Sequence, residues 1–158
     1  MSRQSVSSVA LMVGRSHSPV QGTGPGDPWC RGVAFRSVRG VRVLICDDEA
    51  HVRLVYRAAF EDLGAEVVEA TSGDDCLERL AEGCPDLVVL DLFMPDRDGL
   101  STLPELVHRC AKARVLIVSV NDAAETFSLC RDRGATACFD KVSFPARIPR
   151  IVEHYGAA

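Results

Sequence analysis

Five short runs rich in apolar residues punctuate residues 41–140, and between them apolar positions recur at helical spacing. The first is Val41-Arg42-Val43-Leu44-Ile45-Cys46, followed by Glu66–Ala70, Leu87–Leu90, Arg114–Ser119 and Ala137–Asp140. Each has the length of a strand. Leu87–Leu90, opened by Pro85-Asp86, shows no polar alternation, which predicts a strand buried on both faces, as in parallel sheets covered by helices. Val52, Val55, Tyr56, Ala59, Phe60 and Leu63 predict a helix closed by Gly64, and Thr71-Ser72-Gly73 opens a second that stops near Gly83–Pro85. Further helices are expected from about Leu100 to Ala111, from Ala123 to Arg133 with Gly134 ending it, and up to about Tyr155. Pro104 and Pro149 cut across this pattern, because an interior Pro costs a helix about 3 kcal/mol. Either helix is kinked there or begins late with the Pro in its first turn, and the last is expected to be shorter or bent.

Strand–helix alternation of this kind specifies one α/β domain, residues 41–156, with a parallel sheet and helices on both faces. Right-handed crossovers leave the flavodoxin-like, doubly wound strand order 2-1-3-4-5 as the expectation. Residues 1–40, rich in Ser, Gly, Arg and Val without periodicity, read as a disordered leader. Charge divides the same way. The leader holds five Arg against Asp27, which leaves 13 of the 18 bases and 21 of the 22 acids to the domain. An acidic body argues against nucleic acid as a direct ligand, and no run is long enough to span a membrane.

The seven cysteines (Cys30, Cys46, Cys76, Cys84, Cys110, Cys130, Cys138) are odd in number, scattered and without a C-x-x-C pair. That disfavours a disulfide framework and a zinc site and points to a reducing cytoplasm. Cys46, Cys110 and Cys138, inside apolar stretches, are expected to pack as buried thiols.

In a parallel sheet all carboxyl ends share one edge. That edge would carry Asp47 and Asp48 after the first strand, Asp91 closing the third, Ser119 at the fourth and Lys141 after the fifth. Converging carboxylates repel one another unless a divalent cation sits among them, and Mg²⁺ fits best, being a hard ion that takes a few carboxylates and keeps waters. There is no Gly-rich phosphate loop and no His pair at metal spacing. The inventory suits phosphoryl transfer onto a carboxylate, with Asp91 as nucleophile, Mg²⁺ and Lys141 offsetting charge and the Ser119 hydroxyl bonding an oxygen. The plain alternative is that Asp47, Asp48 and Glu49 cap the first helix.

Asp47-Asp48-Glu49 with Arg53, Asp91-Leu92-Phe93-Met94-Pro95 with Asp98-Gly99, Ser119, and Asp140-Lys141 resemble the receiver domain of two-component response regulators. The resemblance implies Asp91 as phosphoacceptor, with a histidine kinase or phosphotransfer protein as donor. It implies Mg²⁺ held by the Asp48 and Asp91 side chains and the Phe93 backbone carbonyl, with Asp47 acting through water. Ser119 and Lys141 match the switch hydroxyl and the phosphate-binding Lys. Phe93 and Asn121 flank the expected approach of water and are expected to set the life of the acyl phosphate. The chain departs from the family pattern at Cys138, where an aromatic is usual, at Val142 after the Lys, and at Val120. The implied function is a stand-alone, non-enzymatic cytoplasmic receiver acting through protein contacts. A receiver-like adaptor that no longer switches and a Mg²⁺-dependent phosphohydrolase are the alternatives.

Overall fold

The computed structural model of the chain describes residues 40–120 and 123–156. The expected leader and Asn121 lie outside the described residues. Five strands form one parallel sheet, β1 (Arg42–Cys46), β2 (Glu66–Ala70), β3 (Leu87–Asp91), β4 (Arg114–Ser119) and β5 (Ala137–Asp140), in the order β2-β1-β3-β4-β5. Between and after them run α1 (Ala50–Asp62), α2 (Gly73–Arg79), α3 (Gly99–Arg109), α4 (Ala124–Asp132) and α5 (Phe144–Tyr155), with a 3-10 turn over Leu80–Glu82. This is the flavodoxin-like order the alternation predicts.

Successive strand residues point to opposite faces, so the strands feed two cores. Leu44, Cys46, Val88, Leu90, Val115 and Ile117 pack on one side with Cys76, Leu77, Leu103, Leu106 and Cys130. Val43, Ile45, Leu87, Val89, Leu116 and Val118 pack on the other with Tyr56, Phe60, Phe144, Ile148, Ile151 and Val152. All five residues of β3 are buried, as its uninterrupted apolar run requires. Two helices start on side-chain caps that satisfy an otherwise unpaired N–H: Ser72 accepts from Asp75 N–H at 3.2 Å, and Asp98 from Ser101 N–H at 2.7 Å. At the amino edge of the sheet, Arg42 donates to the carbonyls of Glu82 and Gly83 at 3.2 and 2.9 Å, while its own N–H meets Asp86 at 2.8 Å.

Both prolines sit inside their helices rather than in a first turn, and α5 is not shortened by Pro149. Pro104 has no N–H to offer the Leu100 carbonyl. The structure supplies a substitute, since Arg133 Nη1, from the end of α4, donates to Leu100 O at 3.1 Å.

One expectation about cysteine is overturned. Cys110, expected as a buried thiol, is disulfide-bonded to Cys84, the two Cα atoms 5.6 Å apart. The pairing spans 26 residues and arises because the turn before β3 and the end of α3 meet at the same edge of the sheet. The Cys count therefore no longer argues for a reducing compartment. Cys46 is a buried free thiol as expected, and Cys138 is a free thiol that is only partly buried. Among the described residues, no helix is long and apolar enough to cross a membrane.

Candidate functional site

The carboxyl ends of β1, β3, β4 and β5 bring together the residues expected there. Asp91 is the last residue of β3, paired in register with Val118 of β4. Its neighbourhood is shaped by Gly99 at the start of α3, whose N–H donates to Leu92 O at 3.0 Å. A Cβ on Gly99 would lie 2.0 Å from the Asp91 carbonyl oxygen, so only Gly lets α3 begin this close to the strand tip. The Asp91 Oδ1 accepts from Phe93 N–H at 3.3 Å and its Oδ2 from Lys141 Nζ at 2.9 Å.

The loop after β1 is fixed from behind. Asp47 N–H donates to Ala70 O at 3.2 Å, extending the pairing with β2 past the strand end. Asp47 Oδ1 then accepts from Glu49 N–H at 2.9 Å. Arg53 of α1 donates to the carbonyls of Asp47 at 2.7 Å and Asp48 at 3.1 Å, and its Nε reaches Glu69 at 3.0 Å. Arg53 thus holds the loop through its backbone and leaves the carboxylates free to face the pocket.

Lys141 reaches the same point from beyond β5. Its N–H donates to Ser119 O at 2.9 Å and its carbonyl accepts from Tyr56 Oη at 3.3 Å, so its backbone is held at both ends. Tyr56 is itself packed on Phe144, ring centroids 5.0 Å apart. The Nζ lies 2.8 Å from Asp47 Oδ2, 2.9 Å from Glu49 Oε1 and 2.9 Å from Asp91 Oδ2. The side chains of Lys141, Asp47 and Asp91 are 9%, 3% and 4% exposed, so the ammonium is enclosed with two carboxylates.

The electrostatic consequences differ by group. Burial raises Asp47 above the ordinary carboxylate value, against the opposing pull of Lys141 and the Glu49 N–H. Exposed Glu49 is lowered by its hydrogen bond to Lys141. Burial alone would lower Lys141, but its hydrogen bonds to Asp47, Asp91 and Glu49 outweigh that and raise it.

Asp47, Asp48 and Asp91 each offer a carboxylate oxygen, and these lie within 4.8 Å of one another. Hard oxygen donors at that spacing, two buried and one exposed, suit a cation that keeps part of its water shell. Ser119 is fully buried at the end of β4, in register with Asp140. Phe93 and Val120, just past the tips of β3 and β4, and Val142, which follows Lys141, are exposed.

The simple capping reading of the three acids does not hold. Glu49 occupies the N-cap of α1 without a side-chain cap bond, and its carboxylate goes to Lys141 instead. Glu49 is also the site residue that sequence reasoning missed, although it is the third acid of one run. Tyr56 was visible only as a core position.

The family model for the response regulator receiver domain matches residues 43–153. The chain belongs to this family. Chemotaxis protein CheY of Bacillus subtilis is 34% identical to this receiver over 113 residues, 71% of this chain and 92% of CheY. A protein-glutamate methylesterase/protein-glutamine glutaminase of Myxococcus xanthus is 45% identical over 84 residues, 52% of this chain but only 24% of that protein's length. The signal receiver domain of the putative response regulator NarL of Mycobacterium tuberculosis superposes with a TM-score of 0.66 at 30% identity, covering 75% of this chain and 97% of that domain. The receiver is thus a module of two-component signalling, and receiver domains bind Mg²⁺ at an acidic pocket of this kind.

Proposed function

We propose that this receiver takes a phosphoryl group onto the Asp91 carboxylate, in the cytoplasm, from the phosphohistidine of a histidine kinase or phosphotransfer protein, and signals by protein contact. The observation that carries the reading is the buried cluster in which one ammonium, Lys141 Nζ, holds Asp47 and Asp91 within 2.9 Å at the mouth of the sheet. An Asp91 oxygen attacks phosphorus as the donor's P–N bond breaks, and the electron pair leaves with the imidazole nitrogen, which takes a proton. Lys141 can pass from its carboxylates to a phosphoryl oxygen, and the Ser119 hydroxyl can bond another. Mg²⁺, held by Asp48, Asp91 and the Phe93 carbonyl with Asp47 through water, would offset the charge on the transferring group. Phe93 and Asn121 set the lifetime of the product.

The test is incubation with Mg²⁺ and a small phosphodonor, followed by mass mapping. Modification of Asp91, lost in Asp91→Asn, is the expected result. Label on another residue, or label persisting in Asp91→Asn, rejects the assignment.

A second reading, a receiver-like adaptor that no longer switches, is favoured by one observation. Cys138 stands on the core face of β5 that packs toward α4, while Phe139 packs on the opposite face against Phe144. No aromatic of β5 is therefore available on the α4 side. Beryllofluoride separates the readings, because a switching receiver shifts amide resonances of α4 and β5 and an adaptor does not.

A further inference from the structure

Among the described residues, the cysteines meet in three strand–helix or loop–helix pairs. Cys84 and Cys110 are bonded. Cys46 at the end of β1 and Cys76 of α2 lie in one core cluster with Cys130 of α4, and Cys138 of β5 packs against that cluster close enough to Cys130 for the two thiols to interact. The two free pairs differ in access. Cys46 and Cys76 are 1% and 0% exposed, so no small reagent reaches them in the folded chain. Cys130 is equally enclosed, but Cys138 is only partly buried, and its Sγ also donates to Phe127 O of α4 at 3.7 Å.

The place of this pair gives it leverage. Cys130 is the sole fully buried side chain of α4, and the helix begins at Ala123 without a side-chain cap. Only the short turn at Arg133–Thr136, with Gly134 in the left-handed region at φ 103°, separates α4 from β5. A helix whose one buried side chain is a cysteine beside the neighbouring strand's thiol is held less firmly as a dithiol than once those sulfurs are joined.

We propose that Cys130 and Cys138 form an oxidisable dithiol, taking a small-molecule disulfide as its oxidant, and that its closure fixes α4 against β5. The Cys138 thiolate attacks one sulfur of the disulfide, releasing the first small thiol. The Cys130 thiolate then displaces the second, forming the protein S–S bond. The two protein thiol protons end on the two released thiols, so the protein loses two electrons and the disulfide is reduced by two. Burial holds the Cys138 thiol up at about 11, so the first step is slow at neutral pH and quickens as pH rises toward that value. The proposal is independent of the chemistry at Asp91.

The experiment incubates the full chain with oxidised glutathione, blocks remaining thiols by alkylation, and maps peptides without reductant. Amide hydrogen exchange is followed in parallel. The expected result is a Cys130–Cys138 cross-link, reversed by a thiol reductant, with exchange across α4 slowed about tenfold. In Cys138→Ser both effects vanish; should that variant fail to fold, Cys138→Ala removes the same sulfur without adding a hydroxyl. Recovery of Cys130 and Cys138 as alkylated thiols overturns the proposal, as does a persistent mixed disulfide on Cys138. A cross-link that leaves α4 exchange unchanged overturns the fixing of the helix.

Discussion

Replacing Lys141 by Met keeps the bulk of the side chain and removes the cation that, among the described residues, Asp47 and Asp91 share. Those two carboxylates are 3% and 4% exposed, so little water is on hand to take over from the ammonium. Leaving a buried charge unpaired costs about 3 kcal/mol. The loss must depend on pH. Asp47 already titrates above the ordinary carboxylate value of 3.8 because it is buried, with Lys141 opposing. Without Lys141 it moves further up. An acid whose folded pKa lies above its unfolded one binds more protons in the folded state between the two values, so stability falls as pH rises through that window. The variant's deficit should therefore be full well above the raised Asp47 value and shrink as pH is lowered toward 3.8. Mg²⁺ should counter it from the other direction, adding about 2.7 kcal/mol at a hundredfold excess over its Kd, since metal no longer competes with the ammonium. Urea unfolding of both proteins across pH, with and without Mg²⁺, measures all three effects. A loss below about 1 kcal/mol, or one that ignores both pH and metal, would refute the picture of an enclosed ammonium neutralising two acids.

Gly99→Ala forces a methyl against the Asp91 carbonyl and should cost about 2 kcal/mol or more in urea unfolding, with slower phosphotransfer; an unchanged midpoint would mean α3 can slide away freely. Arg53→Ala releases the Asp47 and Asp48 carbonyls and should weaken Mg²⁺ binding about tenfold by calorimetric titration, although Arg53 touches no metal ligand's carboxylate. Opening Cys84–Cys110 with a phosphine reductant should lower stability by about 3 kcal/mol, read as a shifted urea midpoint that Cys84→Ser reproduces. Asp98→Ala removes the cap on Ser101 N–H and should cost about 1 kcal/mol, read as a lowered urea midpoint.

The strands and their order were legible because the apolar runs are short, Leu87–Leu90 lacks alternation, and parallel topology then dictates which ends meet. The same topology brings Asp47, Asp48, Asp91, Ser119 and Lys141 to one edge. What was not legible depends on contacts that no spacing encodes. Glu49 reads equally well as a helix cap or as a ligand of Lys141, and only the reach of Lys141 across from β5 decides. Cys84 and Cys110 look unrelated until the turn before β3 and the end of α3 are seen to abut. Pro104 reads as a kink or a late helix start because local sequence cannot reveal that a guanidinium from a different helix takes over the orphaned carbonyl.

That last arrangement makes two helices answer to each other. Any excursion of α4 that carries Arg133 away takes the guanidinium from the Leu100 carbonyl, whose ordinary partner in its own helix, Pro104, has no N–H. A carbon-13 label on that one carbonyl would accordingly act as a tell-tale, reporting from the flank of α3 when the neighbouring helix has left its seat.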